Sequence, residues 1–157
     1  MPNMIYAKFG SIEGSCVQAK RQGYVEIVDM DHQIEIPVST TDGTPTGTRR
    51  HRAMKLTAAI DAATPEMMKN VCTLTPIAKV DLKYYAIVDG TEVNYFTVVL
   101  ENAKVTAVRM WFPNVHNEDT KNYKHMVTYD LRYEKITWVY TDGNKETSDT
   151  WLEPEQR

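Results

Sequence analysis

Apolar side chains recur at every second position through most of this chain, and that period commits it to β-structure. In residues 79–88, Val80, Leu82, Tyr84, Ala86 and Val88 share one phase and alternate with Lys79, Asp81 and Lys83. Asp89-Gly90 follows, a pair suited to a two-residue hairpin turn because both positions must take positive φ. Residues 92–100 are apolar on both faces, with Val93, Tyr95 and Val99 on one and Phe96, Val98 and Leu100 on the other. A strand of that kind is covered on both sides. Asn102 is expected to turn the chain into a third strand over residues 104–112, the three strands making an antiparallel meander.

The same period predicts a long strand over residues 24–38, with Val28, Met30, His32, Ile34, Ile36 and Val38 in phase, and another over residues 52–60 through Met54, Leu56, Ala58 and Ile60. Late in the chain Val127, Tyr129, Leu131 and Tyr133 share one phase, which then flips to Ile136, Trp138 and Tyr140. A slip of one residue turns side chains to the other face, so a bulge or sharp bend is expected near Glu134 and Lys135, where the strand changes sheet or closes a barrel. One segment is helical. Thr64-Pro65-Glu66 supplies a capping residue, a proline at the first helical position and an acid in the first turn, and Met67, Met68, Val71 and Cys72 recur at helical spacing. So short a helix must pack on a sheet to persist.

A chain of 157 residues fits one domain spanning 1–157. Its net charge of −3 argues against a broad basic face for nucleic acid, and Arg49, Arg50 and Arg52 around His51 are its one basic cluster. There is no apolar run near the ~18 residues of a membrane-spanning helix, so no membrane insertion is expected. The first residues, MPNMIYAKFGSIEG, lack the basic, apolar and small-residue regions of a secretory signal. Synthesis in the cytoplasm is therefore expected, with Cys16 and Cys72 as free thiols.

Candidate chemistry is sparse. His32, His51, His116 and His125 are scattered, and His116 with Glu118 and Asp119 reads as a solvated loop rather than a metal site. Asp29 and Asp31 share a strand face, as acids on an exposed face do. Cys72 falls near a helix C-terminus, where the dipole opposes a thiolate, and is expected to be a packed thiol. The stretch from Gly43 to Gly47 lacks the Gly-Lys-Ser/Thr ending of a phosphate loop. Tyr84, Tyr85, Tyr95, Phe96, Trp111 and Phe112 suit core or interface better than a stacking platform. No catalytic residue, metal or cofactor is assigned, and the chain is expected to be a self-associating protein, not an enzyme. A monomeric β-barrel for a small apolar ligand and a hydrolase with a concealed site are the alternatives. Residues 39–52 have no apolar periodicity and form a long loop, which in a compact domain is usually functional.

Several segments, in order, resemble one family. They are His32-Gln33-Ile34-Glu35-Ile36-Pro37; Asp42-Gly43-Thr44-Pro45-Thr46-Gly47-Thr48-Arg49-Arg50-His51 with Met54-Lys55-Leu56; Asp61-Ala62-Ala63-Thr64-Pro65; Tyr95-Phe96 with Leu100-Glu101-Asn102-Ala103-Lys104-Val105; Arg109-Met110-Trp111-Phe112-Pro113-Asn114; and Tyr133-Glu134-Lys135-Ile136-Thr137-Trp138 with Ser148-Asp149-Thr150-Trp151. Over about residues 5–151 the chain resembles the haemolysin-coregulated proteins (Hcp), tube subunits of the bacterial type VI secretion system. It departs at Val127-Thr128, where acids are usual, and at Thr73-Leu74-Thr75, where a glycine is expected after the helix. The resemblance implies a mainly β fold: two packed antiparallel sheets forming a β-barrel, one short α-helix on its side and a long extended loop. It implies a homohexamer whose rings stack into a tube within a contractile sheath under a trimeric spike. It further implies that effector proteins travel with the tube and that the tube is exported without a signal peptide, and no fused toxin domain is expected in a chain ending at Arg157. The loop of Thr41, Asp42, Gly43, Thr44, Pro45, Thr46, Gly47, Thr48, Arg49, Arg50, His51 and Arg52 is expected to reach a neighbouring subunit or ring.

Overall fold

The structure, a computed structural model, describes residues 3–17 and 21–150. In chain order its elements are β1 (Met4–Phe9), β2 (Val25–Asp31), β3 (Ile34–Glu35), β4 (Arg50–His51), β5 (Met54–Ala59), α1 (Thr64–Thr73), β6 (Ile77–Val88), β7 (Thr91–Trp111), β8 (Met126–Arg132), β9 (Lys135–Tyr140) and β10 (Lys145–Thr150). Strands β7, β6, β1, β2, β5 and β8 pair in that order, and β8 pairs back to β7, closing a barrel. β9 and β10 continue the sheet outward from β7, and β3 with β4 makes a separate two-stranded ribbon.

The alternating sets become the barrel interior. Met54, Leu56 and Ala58 of β5 meet Val127, Tyr129 and Leu131 of β8, with Val80 and Leu82 of β6 and Val98 and Leu100 of β7. Tyr84 keeps that phase, but the pairing of β6 with β7 slips after it, and Tyr85 is buried outside the core. There the Arg21 guanidinium lies between two rings, 4.4 Å from the Tyr6 centroid and 4.5 Å from that of Tyr85, and binds Glu92 at 2.5 Å. Asp89 (φ 50°) and Gly90 (φ 78°) make the expected hairpin turn.

Two expectations are corrected. Asn102 does not end a strand: β7 runs unbroken for 21 residues, and Asn102 (φ 51°) kinks it. Asparagine tolerates that left-handed conformation better than most residues. β6 stays paired across the kink, Lys79 with Glu101 and Ile77 with Ala103. Beyond β6, the first half of β7 pairs with β9 and the second half with β8. The expected third strand is therefore the far end of the second, and no three-stranded meander forms. Likewise the strand expected over residues 24–38 stops at Asp31. Pro37 cannot donate to a ladder, and residues 32–38 leave the barrel instead.

The phase flip after Tyr133 has the expected cause. β8 pairs with β5 and the far half of β7, β9 with the near half, and the chain crosses between them at residues 133–134. The Glu134 N–H donates to the Glu101 carbonyl at 3.1 Å, and Tyr133 and Ile136 are both buried on either side of the bend.

Helix α1 packs on β7 and buries Met67 in the core. Thr64 does not cap it. Its hydroxyl is buried 3.1 Å from the Tyr129 hydroxyl, while the Asp61 carboxylate accepts the Ala63 N–H at 3.0 Å. Burial raises the Tyr129 phenol to about 12, its bond to Thr64 opposing. Cys72 is exposed, not packed, Cys16 is half-buried, and both thiols are free. After the helix Leu74 takes φ 52°, the left-handed position that glycine fills at low cost. Its side chain is 55% exposed and contributes little packing. Leu74→Gly should raise stability by about 0.5–1 kcal/mol, the left-handed penalty less the extra backbone entropy of glycine. The check is a higher urea midpoint at unchanged slope.

Candidate functional site

Residues 32–53 leave the barrel as an arm. Its limbs pair at Ile34 with His51 and Glu35 with Arg50, and again at a bridge between Val38 and Pro45. The tip satisfies its own backbone. Ser39 N–H donates to Thr44 O at 2.7 Å, Gly43 N–H to Ser39 O at 2.9 Å and Thr46 N–H to Pro37 O at 2.8 Å. The Asp42 carboxylate accepts the Thr44 N–H at 3.0 Å, a bond that holds its carboxyl below the usual range. Gly43 takes φ 75°, which closes the turn. Ile36 and Val38 stand 45% and 56% exposed on the limb, so apolar surface faces solvent on an ordered element.

The residues picked from sequence divide into two groups. Thr41, Asp42, Gly43, Thr44, Pro45, Thr46, Gly47 and Thr48 are exposed around the tip. Arg49 and His51 instead fasten the root to Asp149 of β10, while the exposed Arg52 pairs with Glu35 at 2.6 Å. Arg50 is exposed on β4. The first limb, with Ile34, Ile36 and Val38, is missed by the period-two reading because an arm limb and a barrel strand alternate alike.

The root is a buried polar cluster. His51 is 4% exposed. Its Nδ1 lies 2.5 Å from the Tyr133 hydroxyl and its Nε2 2.6 Å from Asp149 Oδ2. His32 Nε2 reaches the same Tyr133 hydroxyl at 2.8 Å. Arg49 donates to Asp149 at 2.6 Å and to the Thr150 carbonyl at 2.9 Å, and Arg132 donates to the His51 carbonyl at 3.0 Å. Burial opposes ionisation of Asp149, but the hydrogen bonds from Arg49 and His51 outweigh it and hold the carboxyl below its ordinary 3.8. Burial pushes the Tyr133 phenol well up, and the Asp149 charge adds to that. The Asp–His–Tyr order has the look of a proton relay, but the hydroxyl at its end faces a second imidazole inside the protein. What the cluster does chemically is to fix two backbone positions, 32 and 51, against the strand crossing at Tyr133. His32, Tyr133, Arg132 and Asp149 are absent from the sequence-picked set, since no spacing links residues about a hundred positions apart.

The other candidates stay apart. Asp29 and Asp31 are exposed, and Asp29 lines an open groove of about 930 Å3 outside the barrel with Tyr6, Val28, Trp111 and Met126. His116, Glu118 and Asp119 are exposed on the loop after β7, and among the described residues no three His, Cys, Asp or Glu side chains could hold a metal. The stretch from Gly43 to Gly47 leads into β4, not a helix. Of the aromatics, Tyr84 stacks edge-on to Phe96 at 5.5 Å, burial lifts its phenol to about 12, and Phe112 is exposed beside His125. The barrel interior is occupied by its own side chains, Phe9, Met54, Tyr129 and Leu131 among the largest. Among the described residues no helix is long and apolar enough to cross a membrane.

The family model described as "Type VI secretion system effector, Hcp" matches residues 6–140, and the chain belongs to that family. It is 37% identical to the Hcp1 protein of the E. coli EAEC 042 pathovar, with 97% of this chain and 99% of that one covered and a TM-score of 0.83. A "Major exported protein" of Pseudomonas aeruginosa is 27% identical over 142 residues, 90% of this chain and 83% of that one. The secreted protein Hcp3 of Pseudomonas aeruginosa shares the fold at TM-score 0.76 and 20% identity, with 97% and 100% covered.

Two outcomes follow from the root cluster. Tyr133→Phe keeps the ring but leaves a buried nitrogen of His51 and a half-buried one of His32 without their hydroxyl, and should cost about 1–3 kcal/mol in urea unfolding. Asp149 has a folded pKa below its unfolded 3.8, so its contribution is complete above 3.8 and disappears as pH falls through the folded value. Asp149→Asn should therefore flatten the acid limb of the stability-against-pH curve, measured by urea midpoints from pH 7 downward.

Proposed function

We propose that this chain is a single-domain structural subunit of a type VI secretion tube, with no catalytic role. Six copies close a ring through one heterologous interface. Rings stack into a tube that carries effector proteins, runs inside a contractile sheath beneath a trimeric spike, and is expelled from the cytoplasm where it is made. Membership of the Hcp family supports this reading, as do relatives named as exported or secreted.

The observation that carries it is the arm. A ring of copies needs two different complementary surfaces on each subunit. An ordered projection with apolar side chains in water is unfavourable for an isolated monomer and suits a surface that a second copy covers. The part placed to reach is the tip and first limb, Thr41 to Thr48 with Ile36 and Val38.

Light scattering should give a particle about six times the 18.0 kDa chain mass, and electron microscopy should show rings. A monomer at high concentration would refute the proposal. Deleting residues 42–47 should leave circular dichroism and unfolding of the barrel intact while weakening assembly. An unchanged oligomer with unchanged stacking would remove the arm from the interface.

A further inference from the structure

An arm that reaches a neighbour needs a surface on that neighbour to receive it. The open groove of about 930 Å3 on the outer wall of the barrel has matching chemistry. Val28, Ile60, Trp111, Tyr123 and Met126 line it, and Val28 and Tyr123 stand 58% and 55% exposed. Apolar wall therefore faces water there, as it does on the arm. The charges lining the groove are the carboxylates of Glu26, Asp29 and Asp61 and the ammonium of Lys124, so the groove is acidic. The arm holds the basic cluster, with Arg49, Arg50 and Arg52 outnumbering Glu35 and Asp42. Asp61 is held by the Ser15 and Ala63 N–H groups, and Arg52 by Glu35. Glu26, Asp29 and Arg50 are exposed and have no ion pair among the described residues, which leaves them to be met from outside.

The two surfaces lie toward opposite ends of the barrel. The arm returns to the barrel at Met54, the start of β5. The groove wall stands on the other end of that strand, where Ala59 pairs with Met126 and Met126 with Trp111. Ile36 and Val38 are exposed, so the arm does not cover the groove of its own chain. We propose that this groove receives the arm of a second copy, with Ile36 and Val38 lying against Val28 and Trp111 and the basic root facing the carboxylates. This rests on reading the arm as the assembly element and names the other half of its contact. Unlike surfaces so placed join copies head to tail: each copy fills one neighbour's groove and presents its own to another. Docking removes from water apolar side chains that a single chain leaves exposed on both surfaces.

Cys16 lines the groove with a free thiol and supplies a natural reporter. With Cys72→Ser present throughout, one chain keeps Cys16, and a second carries Cys16→Ser with a thiol moved to the arm by Val38→Cys, Thr41→Cys or Thr46→Cys in turn. A short bismaleimide should join the two chains when they are co-expressed and should join neither to itself when each is expressed alone. No cross-link at any of the three positions, or one formed by the arm-thiol chain alone, overturns the proposal. Separately, Val28→Arg should raise the concentration of half-assembly at least about tenfold, as deleting residues 42–47 should, and the two together should do no more than the stronger alone. Association unchanged by Val28→Arg, or losses that add in the double variant, would assign the groove to another occupant, a small apolar ligand or an effector, and sink the proposal. Should Val28→Arg fold poorly by circular dichroism, the cross-link decides. Particle mass and electron microscopy of the same samples keep the two ideas separate. Rings without the cross-link remove the groove alone, and cross-linked pairs without rings remove the tube reading alone.

Discussion

One strand has to satisfy different neighbours along its two halves. β7 gives its first half to β6 and β9 and its second half to β8, and the barrel closes only because it is long enough to do both. The kink at Asn102 is the hand-over point. Since β8 and β9 are consecutive and pair with different halves of β7, the chain between them must cross beside that kink. This crossing sets Tyr133 and Glu134 where they are, Glu134 tied to the Glu101 carbonyl just before Asn102. Closure of the core and the location of the arm's anchor are thus one constraint.

The arm depends on that anchor in turn. Two short paired segments and a bridge supply little stability alone. The exposed pair of Arg52 with Glu35 adds little, because solvent screens it. The buried ties at the root are different: an unmet polar atom there costs far more than a met one contributes, so they fix the ribbon's direction more than they add to stability. The tip spends its threonines, Asp42 and Gly43 on its own turn, which leaves Ile36 and Val38 as its apolar offering.

Much of this was legible in the residue order. Met54, Leu56 and Ala58, and Val127, Tyr129 and Leu131, face the core as their alternation requires, and the flip after Tyr133 marks the passage from one half of β7 to the other. The failures are instructive. Asn102 reads as a turn in the sequence because asparagine at positive φ serves a turn and a kink equally well. Residues 24–38 read as one strand because hydropathy cannot tell a limb leaving the barrel from one staying in it; the break falls after Asp31, and Pro37, inside the limb, is the one residue that argues against a continuous ladder. Thr64 has a capping residue's identity but spends its hydroxyl on Tyr129, a partner 65 positions away. The root cluster was illegible for the same reason: His32, His51, Tyr133 and Asp149 meet only after the barrel has closed.

Arg21 offers a contrast to that root. A guanidinium keeps its charge at every pH a folded protein survives, and two aromatic faces grip it whatever the acidity. Its hold on the barrel, through those two faces and the Glu92 carboxylate, therefore runs through no imidazole. The molecule thus carries two fasteners with different chemistries. The first grips a charge between two aromatic faces; the second ties two backbone positions through one shared hydroxyl.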